Sequence, residues 1–276
     1  MPELHIDIPA ALVEALTERQ ARTGESPEQI IISALADALE VDHATLFQVS
    51  NSTALTQGVF DGAVTIHELK EHGDFGLGTF DGLDGEMIAL EGAFYRADTA
   101  GSVTQVDDAA LTPFAVITEF PDVPPFALPV ITSFAELTTH LDRTRQSDNL
   151  FYAVRVDGHF TRIKARSIAR QPEGATLVQA AAGQSVFTFT DVAATLVGFW
   201  TPAYARAINV AGWHIHALTA DHLQGGHVLD VAAAHLQVRL AELADVRMAT
   251  PDTEEFLEAD LTQDVSQQLA AAESDH

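Results

Sequence analysis

The 276-residue chain is long enough to bury one large core or two compact ones, and 47% hydrophobic against 20% charged residues marks it as globular. Forty acidic residues against 14 basic ones give a formal charge of −26, a surface that repels nucleic acid and anionic membranes and argues against both as partners. Without cysteine, disulfides and thiolate metal sites are excluded, so any tight transition-metal site must draw on the 12 histidines and the carboxylates.

No basic patch followed by an apolar run occurs in Met1 to Ala10, and the most apolar region, Leu111 to Phe134, is broken by Glu119, Asp122 and five prolines. The expectation is a cytoplasmic protein with neither signal peptide nor membrane span. Residues 1–44 read as a unit of their own. Leu4, Ile6 and Ile8 alternate with His5 and Asp7 as a short half-buried strand, and Pro9 opens a helix carrying Leu12 and Leu16. Thr23-Gly24 ends that helix. Ser26, Pro27 and Gln29 then supply an N-cap, a first-turn proline and a capping-box partner for a second helix striped with Ile30, Ile31, Ala34, Leu35, Ala38 and Leu39. This order resembles the ribbon-helix-helix module, an intertwined dimer whose DNA-binding members project basic or amide side chains from the strand. Here the outward positions are His5 and Asp7, and acidic residues outnumber Arg19 and Arg22. The segment therefore reads as a dimerisation element rather than a DNA reader.

From residue 45 to 276 short apolar runs alternate with Gly and Asp turns such as Gly58-Val59-Phe60-Asp61-Gly62 and Phe80-Asp81-Gly82-Leu83-Asp84-Gly85. Helices are expected at Ile66 to Glu71 and Ser133 to Gln146, the second capped by Ser133 with Glu136 three positions on. Strands are expected at Tyr152 to Val156, Phe160 to Lys164, Ser185 to Phe189 and His235 to Leu240. The fold class is α+β and sheet-dominated, with a subdomain boundary near residues 143–149, where the chain is polar and unpatterned. Ala270 to His276 has the composition of a disordered tail.

Gly212-Trp213-His214-Ile215-His216 places two imidazoles at i and i+2, on one face of a strand. A returning strand opened by Gly225-Gly226 would bring His227 beside them. Three histidines with open coordination positions match a catalytic rather than a structural metal site. The same pattern occurs in cupins and other strand-based metal sites, and histidines on a solvated strand face are the bland alternative. His222, in the same loop, has no spacing partner and reads as a surface histidine.

Several blocks in order resemble the alpha-acetolactate decarboxylase family. They are Leu46-Phe47-Gln48-Val49-Ser50, Gly58 to Gly62, His72 to Phe80 continuing through Leu83-Asp84-Gly85-Glu86-Met87, Val197 to Pro202, and Trp213 to Asp230. The resemblance implies a two-subdomain body and zinc held by His214, His216 and His227. It also implies active-site roles for Glu86, Arg166 and a tail glutamate, taken as Glu273 in Ala272-Glu273-Ser274, with Thr79 supporting the pocket. Pattern alone would leave Glu86 a turn carboxylate and Arg166 an exposed strand residue; the motif match is what raises them. The implied reaction converts the small molecule 2-acetolactate to acetoin and CO2, in a homodimer or higher homo-oligomer. Loss of CO2 leaves electrons to be accepted as an enediolate, which zinc can stabilise, followed by protonation on one face. The alternatives are another three-histidine metalloenzyme of cupin type and a metabolite-sensing DNA-binding regulator.

Overall fold

A computed structural model of the chain describes residues 8–23, 27, 30–31, 34–35, 44–265 and 268–269. The chain divides into two compact units, Met1–His43 and Ala44–His276. In the first, helix α1 spans Ala10–Thr23, and the Pro9 carbonyl that precedes it accepts from the Leu12 and Val13 amides. Pro27, Ile30, Ile31, Ala34 and Leu35 are helical as well. Leu12 and Leu16 line a groove with Ile30, Ile31 and Leu35. The strand expected over Leu4 to Asp7 falls outside the described residues.

The strands of the second unit are β1 (Thr45–Val49), β2 (Val64–Thr65), β3 (Phe75–Thr79), β4 (Glu86–Leu90), β5 (Ala93–Ala97), β6 (Val103–Gln105) and β7 (Leu111–Thr112). They continue with β8 (Ala115–Thr118), β9 (Phe126–Leu128), β10 (Phe151–Ser167), β11 (Ser185–Thr201), β12 (Gly212–Thr219), β13 (Gly225–Leu243) and β14 (Asp245–Ala249). The helices are α2 (Ser52–Thr56), α3 (Ile66–Lys70), α4 (Phe134–Thr144), α5 (Leu177–Ala182) and α6 (Glu254–Glu258). Both expected helices are present. Thr65 and Glu68 form a capping box on α3, and Ser133 caps α4 through the Glu136 amide. Among the described residues no helix is long and apolar enough to cross a membrane.

Two main sheets form. One has the order β14-β1-β8-β3-β4-β5-β6; the other has the order β10-β11-β12-β13-β9, with a β10–β13 pairing that closes it back on itself. Residues 45–118 supply most of the first sheet, and the chain returns at β14 to pair parallel with β1, Thr45 opposite Asp245. The change of sheet thus falls between β8 and β9, ahead of residues 143–149.

The four strands expected between Tyr152 and Leu240 are in fact three long ones of 17, 17 and 19 residues. Tyr152 to Val156 and Phe160 to Lys164 are both parts of β10. The strand runs on although the β10–β13 register shifts between Asp157 and His159, between Phe160 and Arg162, and between Lys164 and Ala165. The buried side of β10 changes parity once, from Val154, Val156 and Phe160 to Ile163 and Ala165, across the shift at Phe160 to Arg162, where β10 holds the extra residue.

Alternation otherwise sorts the core into layers. Leu46, Phe75, Leu77, Ile88 and Leu90 of the first sheet share one buried cluster with Ala153, Val197, Phe199 and Leu218 of the second. Phe47, Met87 and Ala89 turn to the opposite side, where Ile66 and Leu69 of α3 cover them. Val154, Ile163 and Ile215 lie in a further cluster with Leu137 and Leu141 of α4.

Candidate active site

The same alternation carries polar side chains to the space between the sheets. Thr79 continues the face of Phe75 and Leu77 on β3, and Glu86 continues that of Ile88 and Leu90 on β4. On β12, His214 and His216 share the face of Leu218, while Ile215 and Ala217 belong to the cluster behind. On β10, Ile163 and Ala165 also lie in that rear cluster, which turns Arg166 toward the site. Register then fixes the neighbours: Thr79 opposes Glu86, His216 opposes His227, and His227 opposes Arg166.

Two glycines, one just before β4 and one at the start of β13, make this possible. Gly85 precedes Glu86 with φ +89°, and a Cβ there would come within 2.5 Å of the Ala97 carbonyl oxygen. Gly226 precedes His227 with φ +152°, and its Cβ would lie 2.8 Å from the Arg166 carbonyl oxygen. Any larger residue would strain the backbone and push β13 away from β10.

The three imidazoles converge. One nitrogen of each lies within 4.8 Å of the others, and the Nε2 atoms of His214 and His216 are 3.1 Å apart. His216 Nδ1 is 2.8 Å from the Met87 carbonyl oxygen. A carbonyl only accepts, so Nδ1 carries the hydrogen and Nε2 is the nitrogen turned to the other imidazoles. Nδ1 of His214 is buried without a hydrogen-bond partner among the described residues. Burial, reinforced by the Arg166 charge, pushes the His214 imidazole down to about 3. Burial holds His227 well below the usual range too, with smaller contributions from Arg166, His214 and His216. Clustered imidazoles, two of them held neutral by burial, are the donor set that a borderline divalent ion such as zinc accepts, so the residues present fit a metal centre.

Glu86 and Arg166 are only 9% and 3% exposed, so neither is the surface residue that pattern alone would suggest. Glu86 Oε2 stands 3.5 Å from His216 Nε2. The Thr79 hydroxyl donates to the Gly85 carbonyl oxygen at 2.8 Å and lines the same pocket. His222 is exposed and reaches the Tyr95 hydroxyl, apart from the cluster. Glu273 lies outside the described residues. The pocket has a second wall that sequence reasoning did not assign, formed by Leu55, Leu83, Phe114, Ile168, Leu177 and Val210. Leu83 falls inside a quoted motif, but Leu177 and Val210 carry no local signal.

The family model for alpha-acetolactate decarboxylase matches residues 46–263. The chain belongs to the alpha-acetolactate decarboxylase family. The alpha-acetolactate decarboxylase of Methanosarcina mazei is 42% identical over 250 residues, covering 90% of this chain and 85% of the relative. That of Brevibacillus brevis is 38% identical over 83% of this chain and 81% of its own. The solved alpha-acetolactate decarboxylase of Bacillus subtilis superposes with a TM-score of 0.81 at 33% identity, covering 84% of this chain and 100% of that one. The family match begins at Leu46, so Met1–His43 precedes it.

Proposed function

We propose that the chain decarboxylates 2-acetolactate to acetoin and CO2, using zinc held by His214, His216 and His227. The observation that carries this reading is the convergence of three buried imidazoles beside Glu86 and Arg166, in a chain of this family. The pocket suits such a substrate, with Thr79, Glu86, Arg166 and the imidazoles on one side and aliphatic side chains on the other. A carboxylate, a hydroxyl and a ketone meet the polar side, and two methyl groups meet the apolar one.

Zinc, when bound, supplies Lewis-acid polarisation of the substrate's oxygens, so that the electrons left by CO2 have an acceptor. Arg166 offers a buried positive charge to the substrate carboxylate and orients the bond to be broken. Loss of CO2 must be followed by uptake of one proton at the same carbon. Glu86 is the proton-handling group on β4, and the histidines arise from β12 and β13, so delivery comes from one side and the product is chiral. Glu273 is our choice for a second proton-handling carboxylate. Thr79, whose hydrogen is donated to Gly85, presents an acceptor lone pair to the substrate hydroxyl. Residues 1–44 we assign to self-association in a homodimer or higher oligomer, supported by the apolar groove of that unit.

The test is acetoin formation from racemic acetolactate by purified chain, after stripping with a chelator and again after zinc is restored. Activity that vanishes and returns supports the assignment. No acetoin from folded, zinc-loaded protein overturns it.

A further inference from the structure

Arg166 is held by a side chain to which neither the sequence motifs nor the comparisons point. Its Nη1 donates to Oε1 of Gln184 at 3.0 Å. Gln184 lies one residue before β11 and two before Val186, the register partner of Arg166. That diagonal offset is within reach of two long side chains across antiparallel strands.

The backbone at Gln184 is fixed in turn. Helix α5 opens with a capping box between Thr176 and Gln179, and ends with Gly183 N donating to the Ala180 carbonyl and Gln184 N to the Ala181 carbonyl. The same helix sends Leu177, 4% exposed, into the apolar wall of the pocket. One short helix therefore carries both a wall of the pocket and the acceptor that meets Arg166.

The chemistry of that acceptor matters. A carboxylate here would form an ion pair with Arg166 and compete with the carboxylate of an incoming substrate, most strongly in a buried, low-dielectric site. An amide oxygen gives the guanidinium a direction without adding negative charge. We infer that Gln184 is a positioning residue that aims the Arg166 guanidinium at the substrate carboxylate without bringing a negative charge of its own. This inference rests on the decarboxylase reading of the pocket.

Two substitutions in the full-length, zinc-loaded chain test it. Gln184→Leu keeps the side chain's bulk and removes the acceptor, whereas Gln184→Glu keeps an acceptor at the same reach and adds charge. Both are measured for kcat and KM with acetolactate, for thermal midpoint and metal content, and for affinity toward 2,3-dihydroxy-2-methylbutanoate. That compound keeps the carboxylate but has no ketone to receive electrons. Gln184→Leu is expected to lower kcat about 10-fold at unchanged midpoint and metal content, the scale of a misdirected positioning group. Gln184→Glu should keep kcat within about 3-fold while raising KM and weakening the analogue by about 10-fold, through charge competition.

The inference is overturned if Gln184→Leu matches the parent in both kcat and analogue affinity. It is equally overturned if both variants lose activity only in proportion to lost midpoint and metal. A parent chain that binds the analogue but makes no acetoin would sink the decarboxylase reading alone. The analogue affinities would then still decide the role of Gln184. A parent that neither binds the analogue nor makes acetoin would remove both.

Discussion

His216 and His227 stand directly opposite one another on β12 and β13, and Nδ1 of His216 is tied to the Met87 carbonyl on the other sheet. The pairing joins a ladder position to a proposed ligand position, so loss of either ring would remove a donor without removing the strand. His216→Ala and His227→Ala should each leave a folded chain with little bound metal and activity lowered at least about 100-fold. Metal content after dialysis, measured beside circular dichroism, checks this. A variant that keeps full metal occupancy would take that histidine out of the donor set.

Glu86 requires the opposite signature. It is 3.5 Å from His216 Nε2 but is assigned to proton handling and not to the metal. Glu86→Gln preserves shape and hydrogen-bonding capacity and should keep the metal while lowering kcat by about 100-fold to 10,000-fold. Turnover by the amide variant at the parent rate would remove Glu86 from the mechanism.

The histidines were legible because their spacing states their geometry: i and i+2 on one strand, then a glycine turn and a return. Glu86 and Arg166 were legible only through whole motifs, since a lone carboxylate after Gly85, or an arginine among Arg162 and Lys164, looks like solvated surface. Their burial arises from the packing of two sheets, and no local pattern encodes it. The long strand β10 was misjudged for a related reason: an extra residue between Phe160 and Arg162 changes which of its side chains face the core without breaking the ladder. Gln184, Leu177 and Val210 stayed invisible because a helix and a loop distant in sequence bring them to the site.

Gly226→Ala tests how far the start of β13 controls the centre. The added methyl must occupy space 2.8 Å from the Arg166 carbonyl oxygen, at a φ of +152° that L residues avoid. The expected penalty is about 1–3 kcal/mol of stability, with His227 displaced and metal bound more weakly. Urea unfolding and a metal titration on the same protein measure both. An unchanged midpoint with normal metal affinity would show that β13 tolerates the shift.

Asp230 supplies the prediction that depends on pH. One of its oxygens accepts from the Phe134 amide at 2.8 Å, the first residue of α4, and the other meets Arg162 at 2.7 Å. Partial burial pushes this carboxyl upward, but the Phe134 amide, the Arg162 side chain and the Val231 amide together hold it below the usual aspartate value. A folded-state value below the unfolded one means that the unfolded chain binds more protons in between. The stabilisation is therefore complete above the ordinary aspartate value of about 4 and is lost as pH falls through the folded value. Asp230→Ala should cost about 1–2 kcal/mol at neutral pH, and Asp230→Asn less, because the amide still accepts from Phe134. The gap between parent and Asp230→Asn should close as acid protonates the parent's carboxyl. A gap that stays constant from neutral pH down to the acid transition would show that Asp230 contributes through its shape and not its charge.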